Sequence, residues 1–169
     1  MDLDLDLTGK RRDDPVPGYA QRLRPTARIC AVLACVVVLI AALCWFLLRM
    51  AGGRPWPGIP PTVPLMLSMF AAVLILLTTR FRSSMLRRAF PRSAALAINP
   101  DTVLAAYQKA TVASFLILEV AALVGLLLAL TSGAATYGII LCGVVLFGMF
   151  IRWPRATEVD RLVRGRLAP

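Results

Sequence analysis

The segment "ICAVLACVVVLIAALCWFLL", residues Ile29–Leu48, contains twenty residues in succession without a charge. An α-helix rises about 1.5 Å per residue, so twenty residues cover the ~30 Å hydrocarbon core of a bilayer. The segment is too long for a signal peptide, and no small-residue cleavage site with a polar mature start follows it. It therefore predicts a membrane-spanning helix, and this prediction decides the fold class.

Three further apolar segments follow the first one along the chain: Val63–Thr79, Val112–Leu130 and Thr136–Ile151. The whole chain is 59% hydrophobic with a mean hydropathy of +0.74, whereas soluble domains are about 45–50% apolar. The excess lies in long runs rather than in periodic stripes, which is typical of membrane spans. We expect an all-α integral membrane four-helix bundle made of two hairpins.

The basic residues are distributed unevenly among the segments that connect these spans. The chain has 19 basic and 9 acidic residues, for a net charge of +10. The N-terminal segment holds six basic residues, the connection between the second and third spans six, and the C-terminal segment five, while Arg49 and Arg54 are the other two. The positive-inside rule therefore predicts that both termini and the middle connection are cytoplasmic.

These patterns divide the chain into three parts. Residues 1–27 mix acidic, basic, proline and glycine residues and predict a flexible cytoplasmic tail, although the opening "MDLDLDLTG" is also compatible with a docking segment. Residues 28–152 form the membrane domain, and residues 153–169 form a basic cytoplasmic tail. The abundance of Arg, Ala and Leu is typical of a GC-rich bacterial genome, so we expect the bacterial inner membrane.

A helix start is visible in the middle connection, at "NPDTVLAAYQKA". Asn99 is a suitable cap, Pro100 fits the first helical position, and Asp101 lies near the positive end of the helix dipole. We expect one helix from about Pro100 to Leu130, whose first turns lie outside the hydrocarbon core.

Arginines flank the predicted spans on the cytoplasmic side, and each can contribute about 1 kcal/mol of attraction to anionic lipid headgroups. The candidate membrane-surface residues are Arg80, Arg82, Arg87, Arg88, Arg152 and Arg155. Aromatic and basic residues do not alternate as in nucleic-acid-binding surfaces, so the lipid bilayer, and not nucleic acid, is the predicted partner of this charge.

The residue types present exclude several chemistries. The chain has no histidine, and its four cysteines, Cys30, Cys35, Cys44 and Cys142, lie within spans without CxxC spacing. We predict no metal site and no cofactor. No glycine-rich phosphate loop or serine elbow occurs, so an enzyme is not expected, although a lipid-modifying enzyme that uses Asp101, Glu158 or Asp160 stays open.

One carboxylate, Glu119, interrupts the third span. A charge at mid-helix costs about 2.5–3.5 kcal/mol on the insertion scale, whereas the twelve Leu, Ile, Phe and Val residues of 112–130 return roughly 4–7 kcal/mol. The span therefore inserts, and Glu119 lies about 10 Å from the cytoplasmic boundary. Three interpretations remain open: a protonated carboxyl bonded within the bundle, a contact with another subunit, or an ion or proton site.

Small residues on the third span predict a helix-packing face. Ser114, Ala121 and Gly125 share this face with Ala129 nearby, whereas Glu119 lies about 200° from Ala121 on the helical wheel. Small residues let helices approach closely. We therefore expect the stripe to pack against the fourth span, and Glu119 to face the first or second span or a partner protein.

The segment "LILEVAALVGLLLAL" (Leu116–Leu130), followed by a short turn and a glycine-bearing helix, resembles the carboxylate-bearing hairpin of rotary ATPase ring (c-type) subunits. It also resembles small bacterial membrane proteins with a Glu-containing span. The resemblance covers roughly residues 110–154. Ring subunits carry the acid on the second helix of the hairpin, whereas here it is on the first, so the resemblance implies only an acid at membrane depth, Glu119.

These observations favour a non-enzymatic role: a subunit, stabiliser or assembly partner of a larger membrane complex, or a homo-oligomer. The competing hypothesis is a small proton- or ion-coupled carrier that uses Glu119.

Overall fold

The structure is a computed structural model that describes residues 17–55, 58–60, 62–89 and 100–163. This part of the chain is all-α and contains no strand, as the sequence predicts. Its helices are α1 (Pro17–Met50), α2 (Thr62–Ala89), α3 (Pro100–Ser132), α4 (Ala135–Ile151) and α5 (Ala156–Val163).

Three of these helices, α1, α2 and α3, are long and apolar enough to cross a membrane. α4 has 17 residues and spans about 25 Å, which is short for a ~30 Å core. Together with α5, from which it is bent by 57°, α4 forms a fourth candidate span. The bend occurs at Pro154, which lacks the N–H that would continue the helix.

The third helix, α3, is the centre of the bundle because it packs against α1, α2, α4 and α5. The main core lies between α1, α3 and α4, and α2 packs chiefly on α3. Large apolar side chains cover the outer surfaces of α1 to α4; on α2, for example, Met66 and Leu76 are 68% and 69% exposed. In water such a surface would promote association, whereas in hydrocarbon it matches its surroundings.

α4 approaches α1 and α3 closely at Gly138. A Cβ atom at this position would lie 2.8 Å from both the Ala129 Cβ of α3 and the Cys44 Sγ of α1. One helical turn away, Leu141 of α4 lies against Gly125 of α3. The absence of a side chain at Gly138 therefore allows α1, α3 and α4 to meet.

The two hairpin turns meet at the end of the bundle opposite α5. Gly133, between α3 and α4, has φ +71°, and a Cβ there would lie 2.5 Å from the backbone nitrogen of Pro55. Both the backbone angle and the close contact require glycine.

Helices extend into both of the segments that the sequence assigns to tails. α1 begins at Pro17, inside the segment 1–27 that the sequence assigns to a flexible tail, and residues 1–16 lie outside the described part. Proline suits a first helical position, and Tyr19 and Leu23 are buried against α3 and α5. The predicted C-terminal tail likewise contains α5, which buries Val159.

The close approach at Gly138 predicts that Gly138→Ala destabilises the fold by about 1–3 kcal/mol, because the added methyl group overpacks a three-helix contact. Gly143→Ala is the matched control on the same helix, since a Cβ there meets nothing within 4 Å. Thermal unfolding in detergent, followed by circular dichroism, measures both variants. Equal melting temperatures for the two would contradict the packing described for α4.

Candidate functional site: the α5-end cluster and Glu119

A polar cluster joins three helices at the end of the bundle where α5 lies, which we call the α5 end. Tyr107 of α3 is fully buried and donates its hydroxyl hydrogen to Glu158 Oε2 of α5 at 2.5 Å. Arg82 of α2 donates to the same oxygen at 2.9 Å, and its guanidinium carbon lies 5.4 Å from the Tyr107 ring centroid. The backbone N–H of Arg155 donates to the Tyr107 oxygen at 3.3 Å. We call these four residues the α5-end cluster.

The surroundings of Tyr107 keep its hydroxyl protonated. Burial raises the pKa of the Tyr107 phenol, and the hydrogen bond to the Glu158 carboxylate raises this pKa further. The tyrosine therefore remains a hydrogen-bond donor to Glu158 through the physiological pH range.

Apolar side chains close the cluster from the side of α1. Tyr19 and Leu23 of α1 pack with Leu104 and Tyr107 of α3 and Val159 of α5. This contact explains why α1 and α3 remain ordered beyond their apolar spans, since each extension buries apolar surface against the other and against α5.

A second polar link joins α1 to the start of α3. Arg22 forms an ion pair with Asp101, and the side-chain amide of Gln108 donates to the Arg22 carbonyl oxygen at 3.0 Å. Of the carboxylates for which a lipid-modifying role was left open, Asp101 and Glu158 are thus in ion pairs. Asp160 is buried and also has a partner.

Arg152 connects the end of α4 to α2. Its guanidinium donates to the Gly148 carbonyl oxygen at 3.2 Å and to Thr79 Oγ1 at 3.3 Å. Burial lowers the pKa of Arg152, and the nearby charge of Arg82 lowers this pKa further. The two guanidinium groups therefore lie within each other's electrostatic field.

The six predicted membrane-surface arginines fall into two groups. Arg80, Arg87, Arg88 and Arg155 are exposed, whereas Arg152 is half-buried and the Arg82 side chain is only 13% exposed. The lengths of the apolar runs in the sequence do not show which of these arginines are exposed. Their exposure depends on which side of α2 and α4 faces the bundle.

Glu119 lies on the edge of the buried face of α3. Its Oε1 atom is buried and has no hydrogen-bond partner. Its neighbours Leu116, Val120 and Leu123 are about half exposed on the outer face. The structure therefore places a desolvated carboxyl oxygen near the outer surface of the bundle, without a donor among the residues that it describes.

The predicted small-residue stripe is buried: Ser114, Ala121 and Ala129 have no exposed surface, and Gly125 is also buried. Gly125 and Ala129 lie against α4, and Ser114 donates to the Thr111 carbonyl oxygen within α3 at 2.7 Å. Among the residues that the structure describes, no group of three His, Cys, Asp or Glu side chains is placed to hold a metal ion.

The fold and the site define an all-α protein with helices compatible with a membrane, a polar cluster at one end and one unpartnered acid on its central helix. No family model matches the chain, and neither the curated proteins nor the solved structures contain a match. Sequence reasoning missed Tyr107, whose only signal is a polar aromatic residue on the helical extension before the third span.

The α5-end cluster predicts that Tyr107→Phe destabilises the protein by about 1–3 kcal/mol, because it removes one of the two donors to Glu158 and leaves the Arg155 N–H without its acceptor. Tyr137→Phe is the matched control, since Tyr137 is 57% exposed on α4. Thermal unfolding in detergent compares the two variants, and proteolysis between α4 and α5 tests whether α5 detaches. Indistinguishable behaviour of both variants would contradict a structural role for the cluster.

Proposed function

We propose that this protein is a four-span bacterial inner-membrane protein with both termini in the cytoplasm. We propose further that it acts without catalysis, as a subunit, stabiliser or assembly partner of a larger membrane complex. The observation that carries the proposal is the buried, unpartnered Oε1 atom of Glu119.

A buried polar atom without a hydrogen bond costs about 1–3 kcal/mol, and the bilayer core contains no water to satisfy it. The four predicted spans contain no Lys, Arg or His. Among the described residues no group donates to the Oε1 atom of Glu119, and we propose that a partner helix or a second copy supplies a donor to this carboxyl group. Interhelical hydrogen bonds of this kind join helices in membranes.

The same observation supports a second candidate function. A carboxyl group without a fixed partner at membrane depth can take up and release a proton, as intramembrane acids do in transporters. The competing proposal is a small proton- or ion-coupled carrier that uses Glu119.

The proposed orientation predicts that a reporter enzyme active only in the cytoplasm works when it is fused after residue 169. The same reporter inserted after Gly53, in the connection between α1 and α2, should be inactive. This pattern follows because 17 of the 19 basic residues lie on the side of the termini. Activity of the reporter after Gly53 and inactivity after residue 169 would contradict the proposed orientation.

The subunit proposal predicts that Glu119→Leu abolishes co-purification of the partner in mild detergent. Leucine improves insertion of the span by about 3 kcal/mol or more, so loss of the partner cannot result from failed insertion. Glu119→Gln keeps the shape and a hydrogen-bonding oxygen and should retain much of the partner. The amount of partner per protein is measured by quantitative mass spectrometry.

Leu123→Gln is the matched control, because it places a polar side chain about one turn away on the exposed face of α3. It should leave co-purification unchanged. Equal co-purification by Glu119→Leu and the wild type would refute the subunit proposal. Normal assembly of Glu119→Gln combined with loss of a proton-linked flux would favour the carrier.

A further inference from the structure

A shallow groove lies on α2 near the α5 end of the bundle and does not include Glu119. It has a volume of about 440 Å³ and is lined by Val73, Leu76, Leu77, Thr79 and Arg80. All five lining residues belong to α2, so the groove is open on its outer side. Its floor is apolar, and its two polar lining residues are consecutive at one end.

Positive charge surrounds the polar end of the groove. Arg80 lines it, and Arg152 reaches it through the bond to Thr79 Oγ1. Burial lowers the pKa of the Arg152 guanidinium, and Arg82 lies close enough to Arg152 for its positive charge to lower this pKa further. The nearby carboxylate, Glu158, already accepts hydrogen bonds from Arg82 and Tyr107. Among the described residues, Arg80 has no carboxylate partner, so the mouth of the groove has an excess of positive charge.

The apolar floor and the positively charged end of the groove together fit a molecule with an anionic head and an apolar tail. Guanidinium groups bind phosphate oxygens through paired, charge-assisted hydrogen bonds. From Thr79 the apolar floor runs through Leu77 to Val73, into the predicted span and toward the centre of the bilayer. Thr79 is the last residue of that span, so the polar end of the groove lies at headgroup depth.

We propose that this groove binds one anionic phospholipid, whose phosphodiester lies on Arg80 and Arg152 beside Thr79 and whose acyl chain lies along Val73, Leu76 and Leu77. Such a site is distinct from diffuse attraction between a basic surface and the bilayer, because it takes one lipid at a defined place. It does not depend on the proposed partner of Glu119.

Native mass spectrometry of the full chain in mild detergent, titrated with phosphatidylglycerol or phosphatidylcholine, tests the proposal. We expect one phosphatidylglycerol to bind tightly and phosphatidylcholine to bind about tenfold more weakly. Arg80→Gln should weaken phosphatidylglycerol binding by about tenfold or more, as expected for the loss of a charge-assisted hydrogen bond. Val73→Trp should also weaken binding, because its ring fills the groove without changing any charge.

Arg87→Gln is the matched control, since it removes the same charge from an exposed position farther along α2. It should leave the first bound lipid unchanged. Equal weakening of lipid binding by Arg80→Gln and Arg87→Gln would indicate diffuse electrostatic attraction and would contradict a defined site. Unchanged lipid binding by Val73→Trp would also contradict the proposed site. Inorganic phosphate at the same concentration should not displace the lipid; displacement would overturn the role of the acyl chain. Circular dichroism confirms that each variant is folded.

Discussion

The close approach of α4 to α1 and α3 at Gly138 is the contact on which the rest of the bundle depends. It brings the backbone of α4 against Ala129 and Cys44, and the buried core continues from there between the same three helices. α2 packs chiefly on α3. α3 is therefore held on one side by tight small-residue packing, and it contacts each of the other four helices and carries Glu119.

The α5-end cluster adds a polar constraint to this apolar packing. Tyr107 and Arg82 both donate to one oxygen of Glu158, so α2, α3 and α5 share a single carboxylate. Glu158 is partly exposed, whereas its donor Tyr107 is fully buried. The cluster thus links α5 to α2 and α3, and a separate bond from Arg152 to Thr79 links the end of α4 to α2.

The sequence predicts much of this fold because the lengths of apolar segments and the residues that cap helices are local properties of the chain. α3 begins at Pro100, where the cap pattern predicts it, and ends at Ser132, two residues beyond the predicted end. The early start of α1 was missed because Tyr19 and Leu23 are ordered by residues far along the chain. The Tyr107–Glu158 bond joins positions 51 residues apart, and no local pattern encodes it. The position of Glu119 along α3 follows from counting residues, whereas the absence of a described donor to its Oε1 atom depends on how the helices face one another.

The Oε1 atom of Glu119 is desolvated near the outer face of α3, and no group in the described part of the chain donates a hydrogen bond to it. The central claim is that another protein supplies this donor. A photo-crosslinking amino acid placed at position 119, activated in native membranes, tests the claim most directly. We predict a specific protein–protein adduct, absent when the crosslinker is placed at position 127 on the exposed face. Adducts with lipid alone at position 119 would contradict the claim.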